Sequence, residues 1–147
     1  MIWRMKLNTP LSSIFDSQST RLHWARWMVV DDNRDVLDSA TMLLEALGRA
    51  EIYQFRSGEE ALNCFALYPD EFELVITDFG LPGLNGFELS RRIRKMCSST
   101  KIILSTGSTI TPQEFARKSG FDAVLQKPYT ADELWHVVNS VLPDDQN

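Results

Sequence analysis

The chain has 147 residues, enough for one domain with a substantial core but not for two. Hydrophobic residues make up 44% and charged residues 24%, a globular balance that excludes a chain disordered throughout. The formal net charge of −5 argues against nucleic acid as the main partner, and no apolar run reaches the length of a membrane span.

Short apolar runs alternate with helical patterns along most of the chain. Five apolar runs predict strands: WMVV (27–30), EIYQF (51–55), ELVIT (73–77), KIILST (101–106) and AVLQ (123–126). Helices are predicted at 34–47, 57–68, 86–96, 112–120 and from Thr130 onward. Because the strands are short and apolar on both faces, we predict an α/β fold: a doubly wound five-stranded parallel sheet in the flavodoxin-like order 2-1-3-4-5, with helices on both faces.

This pattern assigns residues 25–142 to one domain. Residues 1–24 form an N-terminal extension of unknown role, and residues 143–147 form a C-terminal tail. Cys64 and Cys97 lack the spacing of metal ligands, so we predict that both are reduced thiols. The N-terminus has no uninterrupted apolar region and no small-residue cleavage site of a signal peptide, so we expect a cytoplasmic protein.

Local signals predict where several helices begin and which side chains they bury. Ser57 with Glu60, and Thr130 with Glu133, have the spacing of capping boxes at two helix starts. The inward face of helix 86–96 is predicted to carry Leu89, Ile93 and Met96.

Polar side chains follow four of the five strands at the point where each strand ends. The carboxyl ends of parallel strands meet at one edge of an open sheet, which is where ligands bind. We therefore expect these residues to converge at that edge: Asp31 and Asp32 after the first strand, Asp78 after the third, Thr106 at the end of the fourth and Lys127 after the fifth.

Three carboxylates in one pocket repel each other, so at least one pKa would rise unless a cation joined them. Mg²⁺ suits a site of a few carboxylates, carbonyls and waters, and its open positions can hold a phosphoryl oxygen. An aspartate can act as the nucleophile and form an acyl phosphate. Asp78 is the best candidate, because it lies between the acidic pair Asp31 and Asp32 and the cationic Lys127.

Four fragments carry a resemblance to a known family. VVDDN (29–33), VITDFGLPGLNG (75–86), ILSTG (103–107) and LQKPY (125–129) resemble the receiver domain of two-component response regulators. Each fragment alone is common, but all four occur in order, each at the end of its own predicted strand. The resemblance covers roughly residues 25–142.

The resemblance implies a role for each residue at the strand ends. The phosphoacceptor falls on Asp78, and the acidic pair that binds Mg²⁺ falls on Asp31 and Asp32. Asp78 and the backbone carbonyl of Gly80 are the further metal ligands that the family pattern implies.

The remaining motif positions concern the response to phosphorylation. The switch hydroxyl falls on Thr106 and the phosphate-pairing lysine on Lys127, whose bond to Pro128 is expected to be cis. Many receivers carry Tyr or Phe three residues before the lysine, whereas this chain has Val124, a stiff side chain without the ring and polar tip of the usual aromatic readout.

The implied function is a signalling receiver that takes a phosphoryl group from a phosphohistidine and signals by protein–protein contact. Its expected partners are a sensor histidine kinase or a histidine phosphotransfer protein, an unknown downstream protein, and in some circumstances a second copy of the chain in a homodimer. Such a domain is not an enzyme beyond its own phosphorylation and dephosphorylation. Alternatives are a terminal or relay receiver of a hybrid sensor kinase, and a degenerate receiver that only binds partners.

Two enzyme classes fit less well. Asp78-Phe79-Gly80 matches the magnesium-binding tripeptide of protein kinases, but the glycine-rich loop, the strand lysine and the His-Arg-Asp motif of that fold are missing. Phosphatases on similar sheets often carry a second aspartate two residues after the nucleophile, and Gly80 stands at that position.

Several polar residues have a simpler structural explanation. Asp31 or Asp32 would help to cap the helix that follows them. Ser105 is expected to be a loop polar group. The basic run Arg91, Arg92, Arg94 and Lys95 is interpreted as the solvated face of a helix.

Overall fold

A computed structural model describes residues 24–107 and 120–143 of the chain. Its strands are β1 (Ala25–Val30), β2 (Ala50–Phe55), β3 (Phe72–Asp78), β4 (Lys101–Thr106) and β5 (Ala123–Gln126). The described helices are α1 (Arg34–Leu47), α2 (Gly58–Leu67), α3 (Gly86–Met96) and α4 (Ala131–Val141). The helix predicted at 112–120 lies outside the described residues.

The five strands form one parallel sheet in the order β2-β1-β3-β4-β5, which confirms the predicted fold. The ladder sets the strand ends side by side: Val30 is opposite Thr77, and Asp78 is opposite Ser105. Thr106 in turn is opposite Gln126, next to the loop that carries Lys127. The polar residues that follow the strands therefore lie together at the carboxyl edge of the sheet.

Each face of the sheet has its own apolar core. In β1, Trp27 and Val29 pack beneath α1 and α4, whereas Met28 and Val30 pack beneath α2 and α3. This alternation is the normal consequence of side chains pointing to opposite faces along a strand. We call these sides the α1/α4 face and the α2/α3 face. No helix within the two described ranges combines the length and apolar character of a membrane span.

The start of α1 is capped by Asn33, whose side chain accepts a hydrogen bond from Val36 N at 3.2 Å. Neither aspartate caps the helix, so that expectation was wrong. Asp31 Oδ1 instead accepts from Asn33 N at 2.9 Å and holds the turn between β1 and α1. This hydrogen bond fixes the orientation of the Asp31 carboxylate at the end of β1, whereas Asp32 is exposed to solvent.

The predicted capping box at Thr130 is confirmed, because Thr130 and Glu133 exchange side-chain to backbone hydrogen bonds in both directions. At the start of α2, Ser57 Oγ accepts from Glu60 N, which is one half of the predicted box. The prediction for α3 was right for Leu89 and Ile93, both fully buried, and wrong for Met96, which is 37% exposed. Met96 is the last residue of α3, where the chain leaves the core.

Candidate functional site

Three aspartates meet at the carboxyl end of the sheet. Asp31 follows β1 and is buried, Asp78 ends β3 and is partly buried, and Asp32 is exposed. One carboxylate oxygen from each lies within 4.8 Å of the other two. The adjacency of β1 and β3 in the sheet explains this clustering, because residues 47 positions apart along the chain start from neighbouring strand ends.

Lys127 extends into this acidic cluster from the loop after β5. Its Nζ lies 2.7 Å from Asp31 Oδ2 and 3.2 Å from Asp78 Oδ1. A backbone hydrogen bond from Lys127 N to Thr106 O, at 2.8 Å, holds this loop against the end of β4. The Lys127–Pro128 bond is cis, as expected. Lys127 follows β5, and its side chain reaches past the end of β4 to form ion pairs with the aspartates at the ends of β1 and β3.

The charges in this cluster are strongly coupled. Burial raises the pKa of Asp78, Lys127 opposes that rise, and the charge of Asp31 adds to it. Burial alone would lower the pKa of Lys127, but its hydrogen bonds and charge interactions with Asp31 and Asp78 raise the pKa overall. One ammonium cannot balance three carboxylates, so the cluster keeps an excess of negative charge that a divalent cation would relieve.

The loop after Asp78 folds back on the end of its own strand. Leu81 N and Gly86 N both donate to Phe79 O at 3.0 Å. A Cβ at Gly86 would overlap the Asp78 carbonyl oxygen, so only glycine fits at this close approach. Gly80 is exposed, with open space where a side chain would lie. The role of the Gly80 carbonyl as a metal ligand stays a prediction.

Thr106 lies at the same edge of the sheet but on its other side. It is the last residue of β4 and is 9% exposed. Strand alternation puts Thr106 with Leu104 on the α2/α3 face, where Val124 also packs. Asp78 alternates with Leu74 and Ile76 and so belongs to the α1/α4 face.

Ser105 is the residue at this edge whose environment the sequence analysis misjudged. It lies inside β4 and is 4% exposed, so it is not a loop polar group. Within the described part of the chain, its Oγ is the one buried side-chain nitrogen or oxygen atom without a hydrogen-bond partner. The signal that could have found it is the period of two along KIILST, which puts Ser105 on the same face as Ile103 and away from Thr106.

Arg94 is a second residue that differs from its predicted role on a solvated helix face. Its guanidinium donates to the carbonyl oxygens of Thr100 and Gly120 at 2.8 and 2.9 Å and pairs with the Asp122 carboxylate. Arg94 therefore fastens the end of α3 to the segments that lead into β4 and β5. Arg91 and Arg92 are exposed, and their ion pairs among the described residues are with Glu88 on their own helix, as a solvated face predicts.

Comparisons with known proteins agree with this geometry. Residues 27–139 match the family model described as "Response regulator receiver domain". The chain is 32% identical over 111 residues to the uncharacterized transcriptional regulatory protein YrkP of Bacillus subtilis, covering 74% of this chain and 46% of the relative. It is 35% identical over 122 residues to the virulence sensor protein BvgS of Bordetella bronchiseptica, covering 78% of this chain and 10% of that protein.

A shorter relative is matched almost end to end. Protein PilH of Pseudomonas aeruginosa is 28% identical over 121 residues, which cover 80% of this chain and 98% of PilH. Among solved structures, a response regulator receiver domain protein from Clostridium thermocellum aligns with a TM-score of 0.73 and 31% identity, covering 80% of this chain and 94% of that one. The beryllofluoride-activated DrrB receiver domain aligns with a TM-score of 0.71 and 27% identity, covering 82% and 99%.

Proposed function

Because the chain belongs to the family of response regulator receiver domains, the signalling modules of two-component systems, we propose that it accepts a phosphoryl group from a phosphohistidine onto Asp78 in the presence of Mg²⁺. One observation carries this proposal: the Asp78 carboxylate lies between two further carboxylates and the Lys127 ammonium at the ligand-binding edge of the sheet. The proposed domain spans residues 25–142, with residues 1–24 as an extension and 143–147 as a tail.

The donor set fits Mg²⁺. Asp31, Asp32 and Asp78 offer carboxylate oxygens within 4.8 Å of one another, and the Gly80 carbonyl is the proposed fourth ligand. Asp32 is exposed, so waters have access to the remaining positions that Mg²⁺ prefers to keep hydrated. When bound, the dication would neutralise the developing charge on the phosphoryl oxygens and weaken the repulsion among the three carboxylates.

The transfer step is a substitution at phosphorus. A carboxylate oxygen of Asp78 forms a bond to phosphorus while the phosphorus–nitrogen bond of the phosphohistidine breaks, and the electron pair stays on the imidazole nitrogen, which then takes up a proton. Lys127 would move its hydrogen bond from Asp78 to a phosphoryl oxygen while it remains paired with Asp31. Thr106 would donate its hydroxyl proton in a hydrogen bond to a second phosphoryl oxygen.

The expected donors are a sensor histidine kinase or a histidine phosphotransfer protein, and the expected output is contact with a downstream protein in the cytoplasm. The similarity to PilH, which the chain covers almost completely, supports a receiver that acts by itself. The similarity to a short part of the sensor protein BvgS supports the alternative of a receiver within a hybrid kinase. A homodimer and direct binding to nucleic acid are not needed by either arrangement.

Incubation of the full chain with acetyl phosphate and Mg²⁺, followed by intact-mass measurement, tests the proposal. We expect the mass of one phosphoryl group to be added to the wild-type chain and to Asp38→Asn, which changes an exposed carboxylate on α1. Asp78→Asn should gain none, and chelation of Mg²⁺ should abolish the gain in the wild-type chain.

Two results would contradict the proposal. Sustained turnover of unrelated phosphomonoesters would indicate a phosphatase. Failure of the wild-type chain to gain a phosphoryl group from acetyl phosphate and from a phosphohistidine donor would indicate a degenerate receiver that acts only by binding.

A further inference from the structure

The loop between β3 and α3 carries the proposed metal ligand Gly80 and has no regular secondary structure. Leu81 N donates to Phe79 O at 3.0 Å, so Gly80 is the middle residue of a three-residue turn. Gly80, Pro82 and Gly83 are all exposed. The direction of the Gly80 carbonyl therefore depends on where the residues that follow it are held.

A carboxylate from another helix holds this loop. Glu59, in the first turn of α2, accepts a hydrogen bond from Leu84 N through Oε2 at 2.9 Å. Gly83 has a φ of 72°, and a Cβ at this position would lie only 2.6 Å from Glu59 Oε2. A Cβ at Gly58 would overlap the Leu84 carbonyl oxygen. Two glycines thus leave the room in which the loop and the start of α2 come into contact.

The position of Glu59 in α2 suits it to this bond. Ser57 Oγ caps the helix by accepting from Glu60 N, so the Glu59 carboxylate is available for the loop. The positive end of the helix dipole favours a carboxylate in the first turn. A hydrogen bond to a charged acceptor is also stronger than one between neutral groups. Leu84 is thereby fixed four residues beyond Gly80.

We propose that Glu59 is a positioning residue for the bound cation: by holding Leu84, it keeps the β3–α3 loop in the conformation that presents the Gly80 carbonyl to Mg²⁺. The inference rests on the proposed function, because it requires Mg²⁺ at the acidic cluster with Gly80 as a ligand. Glu59 acts through the loop and is not itself a metal ligand. Without its hydrogen bond, part of the free energy of Mg²⁺ binding would go into ordering the loop, and binding would weaken.

The test measures the Mg²⁺ affinity of four full-length chains by calorimetric titration: the wild type, Glu59→Ala, Glu59→Gln and Glu60→Ala. Glu59→Gln removes the charge but keeps a side-chain oxygen that can accept from Leu84 N. Glu60→Ala removes the same charge from the next residue of α2, which is also exposed. The amide nitrogen of Leu81 is followed by NMR in each titration, because a cation on the Gly80 carbonyl perturbs the amide group that contains that carbonyl.

Glu59→Ala should bind Mg²⁺ about three- to fivefold more weakly than the wild-type chain, the effect expected from one lost hydrogen bond. Glu59→Gln and Glu60→Ala should stay within about a factor of two of the wild type, because a single exposed charge is screened at physiological salt. The Leu81 amide nitrogen should shift in every chain, but at higher Mg²⁺ concentration in Glu59→Ala. The thermal midpoint without Mg²⁺ should change little in any variant, since both glutamates are exposed.

Equal Mg²⁺ affinity in Glu59→Ala and Glu59→Gln would overturn the inference, whether both match the wild type or both are weakened, because the hydrogen bond would then make no difference. A Leu81 amide that does not respond to Mg²⁺, in a wild-type chain that binds the cation and gains a phosphoryl group, would also overturn it and leave phosphorylation of Asp78 intact. A wild-type chain that binds no Mg²⁺ and gains no phosphoryl group would overturn the proposed function and the inference together.

Discussion

The two faces of the sheet are alike in their cores and different at their strand ends. The α1/α4 face has Asp31, Asp78 and Ser105 at the strand ends, with Lys127 bridging the two aspartates. The α2/α3 face carries Thr106, with Val124 packed below it. If the proposed function is right, phosphoryl transfer and the response to it start from different faces: the ion pairs of Lys127 lie on one side, and the Thr106 hydroxyl lies above an apolar surface on the other.

The largest expected effect tests whether both cores are equally required. Phe65 on the α2/α3 face and Leu134 on the α1/α4 face are both fully buried. We expect Phe65→Ala to lower the free energy of unfolding by about 4 kcal/mol and Leu134→Ala by about 3 kcal/mol. Urea unfolding measures both. If one variant lost less than about 1 kcal/mol, the core on its face would be dispensable and the symmetry of the two faces would be wrong.

The next effect concerns Lys127 and the two aspartates that it bridges on the α1/α4 face. Lys127→Met leaves Asp31 and Asp78 without their ammonium partner, and breaking a buried ion pair in this way costs about 3 kcal/mol of unfolding free energy. Because Mg²⁺ would supply positive charge to the same carboxylates, added Mg²⁺ should recover part of that loss. Urea unfolding with Mg²⁺ and with a chelator measures both quantities.

The control for that measurement is Lys95→Met, which removes an exposed lysine from α3. It should lose little stability, and the same amount with and without Mg²⁺. A Lys127→Met defect that is identical in both conditions would contradict a cation site at these carboxylates.

The sequence predicts which strand ends meet better than it predicts the cores. The strand ends are predictable because apolar runs stop abruptly at Asp31, Asp78 and Lys127, and a parallel sheet then brings those ends to one edge. Helix faces are less certain, because a stripe of Leu and Val residues fits more than one rotation. In α1 the buried side chains include Leu37 and Thr41, and a buried threonine is not what an apolar spacing indicates.

Polar side chains with long-range partners were the hardest to predict. Arg94 belongs to a basic run, and nothing local shows that its guanidinium bonds carbonyl groups near residues 100 and 120. Ser105 was misjudged because serine is common in loops, although the strand pattern around it already implied burial. For Arg94 the deciding contacts depend on tertiary structure, which the local sequence does not indicate. For Ser105 the period of two along the strand would have been sufficient.

Alkaline pH should act through the α2/α3 face, where burial raises the pKa of Tyr53 to about 12 and that of Cys64 to about 11. Both groups stay neutral in the folded chain to higher pH than in the unfolded chain. The contribution of each group to stability is complete below its ordinary pKa, which is about 10 for Tyr53 and about 9 for Cys64. It is lost as the pH rises through the pKa of that group in the folded chain. The urea concentration at the unfolding midpoint should therefore decrease as the pH is raised from about 9 to about 12.

In Tyr53→Phe the urea midpoint should decrease less steeply with pH than in the wild-type chain, from about pH 10 upward, because the variant lacks one of the two titrating groups. It also removes the hydrogen bond from the Tyr53 hydroxyl to Glu51, so its midpoint at neutral pH should be slightly lower. A variant whose midpoint falls as steeply as that of the wild-type chain would show that Tyr53 does not control alkaline stability.

The smallest expected effect compares two helix starts. Glu133 returns a hydrogen bond to Thr130 N at the start of α4, whereas Glu60 at the start of α2 does not bond Ser57 N. Glu133→Ala should cost about 1 kcal/mol, and Glu60→Ala about 0.3 kcal/mol from the helix dipole alone. Thermal unfolding of the two variants side by side resolves the difference, and equal losses would remove the distinction between the two caps.

The close approach of Gly86 to the Asp78 carbonyl has a consequence for genetic screens. A methyl group at Gly86 would displace the end of β3 and with it the Asp78 carboxylate, the proposed acceptor, although Gly86 is uncharged and lies in the first turn of α3. Loss-of-function alleles should therefore be found at this glycine as well as at the charged residues. An inactive phenotype alone would not show that the substituted residue takes part in phosphoryl transfer.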